Sequence, residues 1–293
     1  MATLPTVVYG TEKVGDLEIF YREAGDRSNP TIVLLHGFPT SSFMYRNIIN
    51  GLADKYHVIA PDYPGFGNSS CPSPSTFKYT FDKLADVVDQ FLEQKEIFKF
   101  SVMMQDYGSP VGFRIATKHP ERVQAIITQN GNAYMEGVNT DTFAPIIQYW
   151  QTQTEEIENM IIDNIFSLEG LKWQYVHGVQ NPESICPDNW MLDFACMQRP
   201  ELHRLNLDLF LDYQHNVALY PVWHEYLRDS KVPVLVVWGK NDAFFPEAGA
   251  HAFEQDAQDL EINLLDSGHF ALEDHHNFVC EKIAAFLSAR NIQ

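Results

Sequence analysis

Six short apolar runs, separated by stretches with helical patterns, constrain the fold of this chain more than any other feature. Continuous apolar runs without polar alternation are typical of strands that are buried on both faces, as in parallel sheets. Helices between them favour a mostly parallel sheet flanked by helices, so the α/β class is predicted. The predicted strands are Thr31–His36, His57–Ala60, Phe98–Met104, Val123–Thr128, Val234–Trp238 and Leu260–Leu265, and helices are predicted at Phe81–Leu92 and Glu281–Ala289.

Between about Asn132 and Arg228 the pattern changes, because no strand-like run interrupts a helical segment that carries four of the five tryptophans. An aromatic helical insertion between two strands of a parallel sheet is typical of a lid, although most of its rings are expected to pack among themselves. The predicted organisation is a core domain in two parts, residues 1–131 and 230–293, with a lid at 132–229.

Charge and cysteine content limit the classes of partner and compartment. The net charge of −19 repels nucleic acid and anionic membrane and disfavours anionic substrates. The chain shows no secretory leader and no apolar run long enough to span a membrane, so a cytoplasmic location is expected. The cysteines lack metal-ligand spacing and are expected to be free thiols, although a Cys186–Cys196 bridge is left open. The oligomeric state is also left open, with a homodimer as one alternative.

Reactive side chains follow three of the predicted strands. Asp106 stands between a strand and a helix, Asp242 follows the Val234–Trp238 strand, and His269 follows Leu260–Leu265. Sites in open α/β sheets lie beyond the carboxyl ends of the strands. Asp106 alone could be a helix cap, but the order nucleophile, acid, histidine is that of α/β-hydrolases. The chain is therefore predicted to be an enzyme with Asp106, Asp242 and His269 as catalytic residues.

The loop His36-Gly37-Phe38-Pro39 provides a fourth element of the predicted site. A turn after the first buried strand would point the Phe38 N–H toward the Tyr107 N–H, and two such donors form an oxyanion hole. His36 is expected to orient the loop. We also assign His36 and Pro39 to the substrate-binding side of the site.

From about Leu17 to the C-terminus the chain resembles the α/β-hydrolase superfamily, in particular the branch of epoxide hydrolases and haloalkane dehalogenases, which use an aspartate nucleophile. The residues that carry the resemblance are HGFP at 36–39, PDYPGFGNSS at 61–70, QDYG at 105–108, GKNDAFFP at 239–246 and SGHF at 267–270. One departure is Met104, two residues before the predicted nucleophile, where much of the superfamily has a small residue.

The resemblance implies an ester between Asp106 and a substrate with a strained ring or a good leaving group. Haloalkane dehalogenases hold the departing halide with side-chain N–H donors. At two of the corresponding positions this chain has Tyr107, which has only a hydroxyl, and Phe38, which has no side-chain donor. Only the lid residue Trp150, assigned to substrate binding, could substitute. Fluoroacetate dehalogenases use arginines close behind the nucleophile, whereas here Pro110 is nearby and Arg114 lies further along. Dehalogenation is therefore the alternative rather than the first prediction.

Epoxide hydrolases place two lid tyrosines on the oxirane oxygen, and the resemblance implies Tyr149 and Tyr213 for these roles. Tyr149 lies 43 residues after Asp106, and Tyr213 lies 29 residues before Asp242, close to the family's offsets. Tyr134, Tyr175 and Tyr220 are further candidates. The predicted reaction opens a small, largely apolar epoxide with water and needs no metal or organic cofactor. A non-catalytic ligand-binding protein on the same fold is the alternative from another class.

Overall fold

A computed structural model describes residues 6–292 of the chain, which form an eight-stranded, mostly parallel sheet flanked by helices. The strand order is β1-β2-β4-β3-β5-β6-β7-β8. The pairs β1–β2 and β2–β4 are antiparallel, and every other pair of neighbouring strands is parallel. The strands are β1 Val8–Val14, β2 Leu17–Ala24, β3 Thr31–Leu35, β4 His57–Pro61, β5 Phe100–Gln105, β6 Val123–Gln129, β7 Val234–Gly239 and β8 Leu260–Leu265. The predicted α/β fold class is confirmed.

The six predicted strands are all present, and they form the parallel part of the sheet. The largest shift is at β5, which begins at Phe100 rather than Phe98. Phe98 is half exposed and lies under the Arg122 guanidinium, so its apolar ring does not belong to the sheet core. The hairpin of β1 and β2 was not predicted, because its strands alternate exposed and buried positions and lack the continuous apolar pattern.

Helices cover both faces of the sheet. Thr80 caps the helix predicted at 81–92 by accepting a hydrogen bond from the Lys83 N–H. The last helix begins nine residues earlier than predicted, and its first turn carries Glu273 and Asp274, which the helix dipole stabilises there. The α-helices are α1 Arg46–Leu52, α2 Phe81–Gln94, α3 Gly108–Lys118, α4 Ala144–Gln151, α5 Glu155–Asn164, α6 Leu168–Val176, α7 Asp188–Met197, α8 Leu202–Ser230, α9 Ala248–Ala252 and α10 Leu272–Ala289.

The segment between β6 and β7 contains α4 to α8 and no strand, and we call it the helical insertion. Its longest helix, α8, packs against α2 and α3 of the core, and α4 packs against α8. The domain boundaries at 131/132 and 229/230 stay predictions. The four cysteines are free thiols, without the Cys186–Cys196 bridge. Within residues 6–292, no helix combines the length and the apolar character that crossing a bilayer would require.

Candidate active site

Asp106 lies in a tight turn between β5 and α3, with a positive φ of 48°. This left-handed conformation costs an L-residue about 1–2 kcal/mol, although aspartate tolerates it better than most. Space for the turn comes from glycine: a Cβ at Gly37 would collide with the Cβ of Asp106. The unusual Met104 is accommodated in the same way, since a Cβ at Gly112 on α3 would collide with the Met104 sulfur. The turn thus presents a carboxylate above the end of the sheet.

Both predicted oxyanion-hole donors bind this carboxylate. The Phe38 N–H donates to Asp106 Oδ1 at 2.7 Å, and the Tyr107 N–H also donates to the Asp106 carboxylate. Oδ2 faces the imidazole instead, with His269 Nε2 at 4.0 Å. The two oxygens of Asp106 are therefore in different environments: Oδ1 accepts from the Phe38 N–H, and Oδ2 lies toward His269.

His269 is oriented by a buried acid. Its Nδ1 lies 2.7 Å from Asp242 Oδ2, which leaves Nε2 facing Asp106. Asp242 is itself fixed, because Asn130 Nδ2 donates to Oδ2 at 2.8 Å and the Phe244 N–H donates to Oδ1 at 2.8 Å. A carboxylate held in this way sets the imidazole tautomer that can accept a proton at Nε2.

Burial and the neighbouring charges shift both titrating groups. Burial raises the pKa of Asp106 above its ordinary value, and His269 and the Phe38 and Tyr107 N–H groups only partly offset this. Burial also disfavours a charged His269, but the attraction of Asp242 and then of Asp106 outweighs it, so the pKa of His269 is raised. Loss of the negative charge on Asp106 would remove one of these attractions and lower the pKa of His269 again.

Asp106 and His269 line a cavity between the sheet and the helical insertion. Its wall is mostly apolar, and it contains no lysine or arginine among residues 6–292, so nothing there favours an anionic substrate. The lining residues are Phe38, Asp106, Tyr107, Phe143, Ile146, Ile165, Gln174, Phe210, Tyr213, Phe244, Phe245 and His269.

Tyr213 is the lid tyrosine that the structure places in the cavity wall, as the sequence predicted. Burial raises the pKa of Tyr213 well above 10, so the phenol is neutral and can donate. Its hydroxyl is within hydrogen-bond reach of the Tyr220 hydroxyl, which accepts from Asn132 Nδ2 at 3.3 Å. The hydrogen bond with Tyr220 raises the pKa of Tyr213 further, so the Tyr213 phenol keeps its proton until a ligand accepts it.

Tyr149 is not brought to the site, contrary to the prediction. It is absent from the cavity wall, and its hydroxyl donates to Glu158 Oε1 at 2.7 Å while accepting from Arg204 at 2.8 Å. Phe143 and Ile146, earlier along the chain, line the cavity in its place. The offset from Asp106 identified the correct helix, but the attraction of a carboxylate and a guanidinium directs the Tyr149 hydroxyl between helices of the insertion.

Three residues assigned to substrate binding, His36, Pro39 and Trp150, are also absent from the described cavity wall. The Trp150 indole N–H donates to the Phe210 carbonyl at 2.7 Å and is not free for a ligand. His36 is fully buried, accepts from the Tyr63 N–H at 3.1 Å and stacks on the Tyr63 ring, which fits the expected role in orienting its loop. Pro39 lines a second cavity, together with Ser41 and Arg199.

Sequence reasoning missed several polar residues of the site. Gln105 contacts the histidine directly, with its amide nitrogen 3.0 Å from His269 Nε2, and Asn130 fixes Asp242. Both stand at the carboxyl ends of buried strands, which was the signal that could have identified them. Gln174 on α6 carried no such signal, because a glutamine within a helix reads as a surface residue.

One group of potential metal ligands lies away from the cavity, at Asp89, Glu93 and His119. Cationic side chains already engage its carboxylates: Lys118 and Arg122 contact Asp89 at 2.9 and 3.0 Å, and Arg122 contacts Glu93 at 2.8 Å. An ion-pair network accounts for this group without a metal.

The family model described as alpha/beta hydrolase fold matches residues 30–276 of the chain, which is most of its length. The chain belongs to the α/β-hydrolase fold family. The uncharacterized hydrolase YNR064C of Saccharomyces cerevisiae is 44% identical over 274 residues, covering 93% of this hydrolase and 94% of the yeast protein. A haloalkane dehalogenase of Mesorhizobium japonicum is 29% identical, covering 93% and 88% of the two chains.

Solved structures agree with this assignment at the level of the fold. The epoxide hydrolase CorEH superposes on the hydrolase with a TM-score of 0.79 at 18% identity, covering 97% and 99% of the two chains. The relatives thus include proteins named for both of the reactions that the sequence left open.

Proposed function

We propose that this hydrolase opens a small, largely apolar epoxide to a vicinal diol through an ester on Asp106, and that it does so in the cytoplasm. The observation that carries the proposal is the pairing, in one apolar cavity, of a carboxylate whose Oδ2 is unblocked with the neutral phenol of Tyr213. A carboxylate is a modest nucleophile, so the ring strain of an epoxide and an acid for its oxygen supply what the attack lacks.

In the first step Asp106 Oδ2 bonds to an epoxide carbon while the carbon–oxygen bond of the ring breaks. The opening oxygen takes the hydrogen of Tyr213, which lies in the cavity wall and is left as a phenolate. A phenol is much more acidic than an alcohol, so this transfer is favourable. The product of the step is a hydroxyalkyl ester of Asp106.

In the second step water hydrolyses the ester. His269 accepts a proton from water through Nε2, and the resulting hydroxide attacks Cγ of Asp106, while the Phe38 and Tyr107 N–H groups stabilise the charge on Oδ1. The Cγ–Oδ2 bond breaks, His269 returns the proton to the departing oxygen, and the diol leaves. Hydrolysis leaves Asp106 protonated and Tyr213 as a phenolate, and transfer of this proton to Tyr213 through solvent returns both groups to their starting state. The ester is neutral, so the pKa of His269 is lower when it must act as a base.

Dehalogenation is the second candidate, and one observation favours it. The Tyr107 hydroxyl is buried without a hydrogen-bond partner, and Tyr107 lines the cavity, so it could donate to a departing halide. The predicted alternative donor, Trp150, is already bonded to the Phe210 carbonyl. Haloalkane dehalogenases are expected to hold the halide with two N–H donors, whereas this cavity offers the single hydroxyl of Tyr107. Dehalogenation is therefore the weaker proposal.

Replacing Tyr213 with phenylalanine tests the proposed acid. We expect Tyr213→Phe to lower the rate of diol formation from terminal epoxides about 10²-fold, because general-acid assistance is lost while the ring packing is kept. Tyr149→Phe is the matched control, and its rate should stay within about twofold of wild type, since that hydroxyl serves Glu158 and Arg204. Diol formation and halide release are measured by gas chromatography and ion chromatography with matched epoxides and haloalkanes.

Equal loss in both variants would contradict the assignment of the acid to Tyr213. Halide release without any diol formation across the panel would replace the proposal with the dehalogenase.

A further inference from the structure

Gln174 is a polar side chain for which the protein provides no partner at one atom. It is 3% exposed, it lines the cavity, and its Nε2 is buried without a hydrogen bond in the described part of the chain. Leaving a buried amide donor unpaired is unfavourable, and an apolar side chain of similar size would avoid that cost. An unpaired donor in the wall of a ligand cavity therefore points to an acceptor on the ligand.

Gln174 reaches the cavity from a different wall than Tyr213. Its neighbours on α6, Trp173 and Tyr175, pack on Phe244 and Phe270, and both of these rings contact His269. Tyr213 instead packs edge-on against Phe81, whose ring contacts Tyr107. The two lid donors thus reach the cavity from different helices, Gln174 from α6 and Tyr213 from α8.

We infer that Gln174 is a specificity-determining residue that donates to a second acceptor of the substrate, so that the preferred substrates are epoxides with an ether, hydroxyl or carbonyl oxygen on a substituent. The inference rests on the proposed function for the identity of the reacting group. Tyr213 binds the ring oxygen, and Gln174 binds the oxygen of the substituent. A wholly hydrocarbon epoxide fits the same apolar wall but leaves the amide unpaired.

The test compares 1,2-epoxyoctane with its ether isosteres, in which one chain CH₂ is replaced by oxygen at each position in turn, on wild type and Gln174→Leu. Wild type should prefer at least one ether, and Gln174→Leu should reduce the ratio of kcat/KM for that ether to kcat/KM for 1,2-epoxyoctane about tenfold. Gln151→Leu, at an exposed position on α4, is the matched control and should keep the wild-type ratio.

Thermal stability separates this role from a structural one. A glutamine that stabilises the fold would lower the Tm when replaced, whereas an unpaired buried amide predicts a Tm for Gln174→Leu that is equal or higher. An unchanged ratio across the ethers, or a lowered Tm with a uniform loss on all substrates, would overturn the inference.

Binding of the corresponding diols, measured by calorimetry, separates this inference from the proposed reaction. If no epoxide is turned over by any variant, the proposed function fails. The ratio of ether-diol to octane-1,2-diol affinity still tests Gln174: a fall in Gln174→Leu supports the contact with an acceptor, and an equal ratio in both proteins rejects it.

Discussion

His269→Gln is expected to stall as a covalent adduct on Asp106 when it is given its substrate. The proposed first step needs Oδ2 of Asp106 and Tyr213 as the acid, and this substitution removes neither. The second step needs a base at the position of His269 Nε2, and its loss should slow hydrolysis of the ester by about 10²–10⁴-fold. Intact-mass spectrometry after mixing with epoxides or haloalkanes measures the adduct, and peptide mapping locates it.

The mass of the adduct also distinguishes the two candidate reactions. An epoxide adds its whole mass to the protein, whereas a haloalkane adds its mass without the hydrogen halide. His251→Gln, at a partly exposed histidine on α9, is the matched control and should turn over without accumulating adduct. An unmodified His269→Gln protein across a broad panel would falsify the ester mechanism and favour a non-catalytic binding protein.

Asp106→Asn should abolish turnover, by at least about 10⁴-fold, while leaving the fold as stable as wild type or more so. The loss follows because the amide cannot form the ester. Stability is kept for two reasons: asparagine tolerates the positive φ, and its carbonyl can still accept from the Phe38 N–H. The burial that raises the pKa of Asp106 makes its ionised form unfavourable in the folded state at neutral pH, and the amide removes that cost.

Turnover and the Tm are measured together, with Asp163→Asn at an exposed position of α5 as the control that should change neither. The mass of the variant is followed during the assay, because hydrolysis of the amide would regenerate aspartate. Residual activity near wild type without such conversion would remove Asp106 from the role of nucleophile. A large fall in Tm would show that the carboxylate is structural.

The sequence predicted those parts of the site that follow directly from the sheet. Asp106, Asp242 and His269 each stand at the carboxyl end of a parallel strand, and the geometry of such a sheet brings these ends together whatever the remaining side chains do. The turn after β3 behaves in the same way, since the backbone N–H of Phe38 is placed by the strand that precedes it. For these residues, position along the chain was sufficient.

The parts of the site that depend on helix packing could not be predicted in this way. Tyr149 and Tyr213 both had the offset expected of a lid tyrosine, but the hydroxyl of Tyr149 is captured by Glu158 and Arg204. Trp150 was assigned to substrate binding because it is a tryptophan of the lid. Its N–H instead donates to the Phe210 carbonyl, a contact that no sequence pattern specifies. Gln174 enters the cavity only because α6 packs against the aromatic residues beside His269.

The unequal treatment of the two Asp106 oxygens has a consequence for the origin of the oxygen in the product. In the proposed cycle Oδ2 leaves with the product and a solvent oxygen takes its place, while the Phe38 N–H holds Oδ1 and keeps the two oxygens in separate roles. In ¹⁸O-water, a single turnover should give unlabelled diol, and each later turnover should give diol with one ¹⁸O beside the oxygen of the epoxide, with one heavy atom retained in the enzyme. Incorporation of two heavy atoms would mean that the carboxylate rotates between cycles.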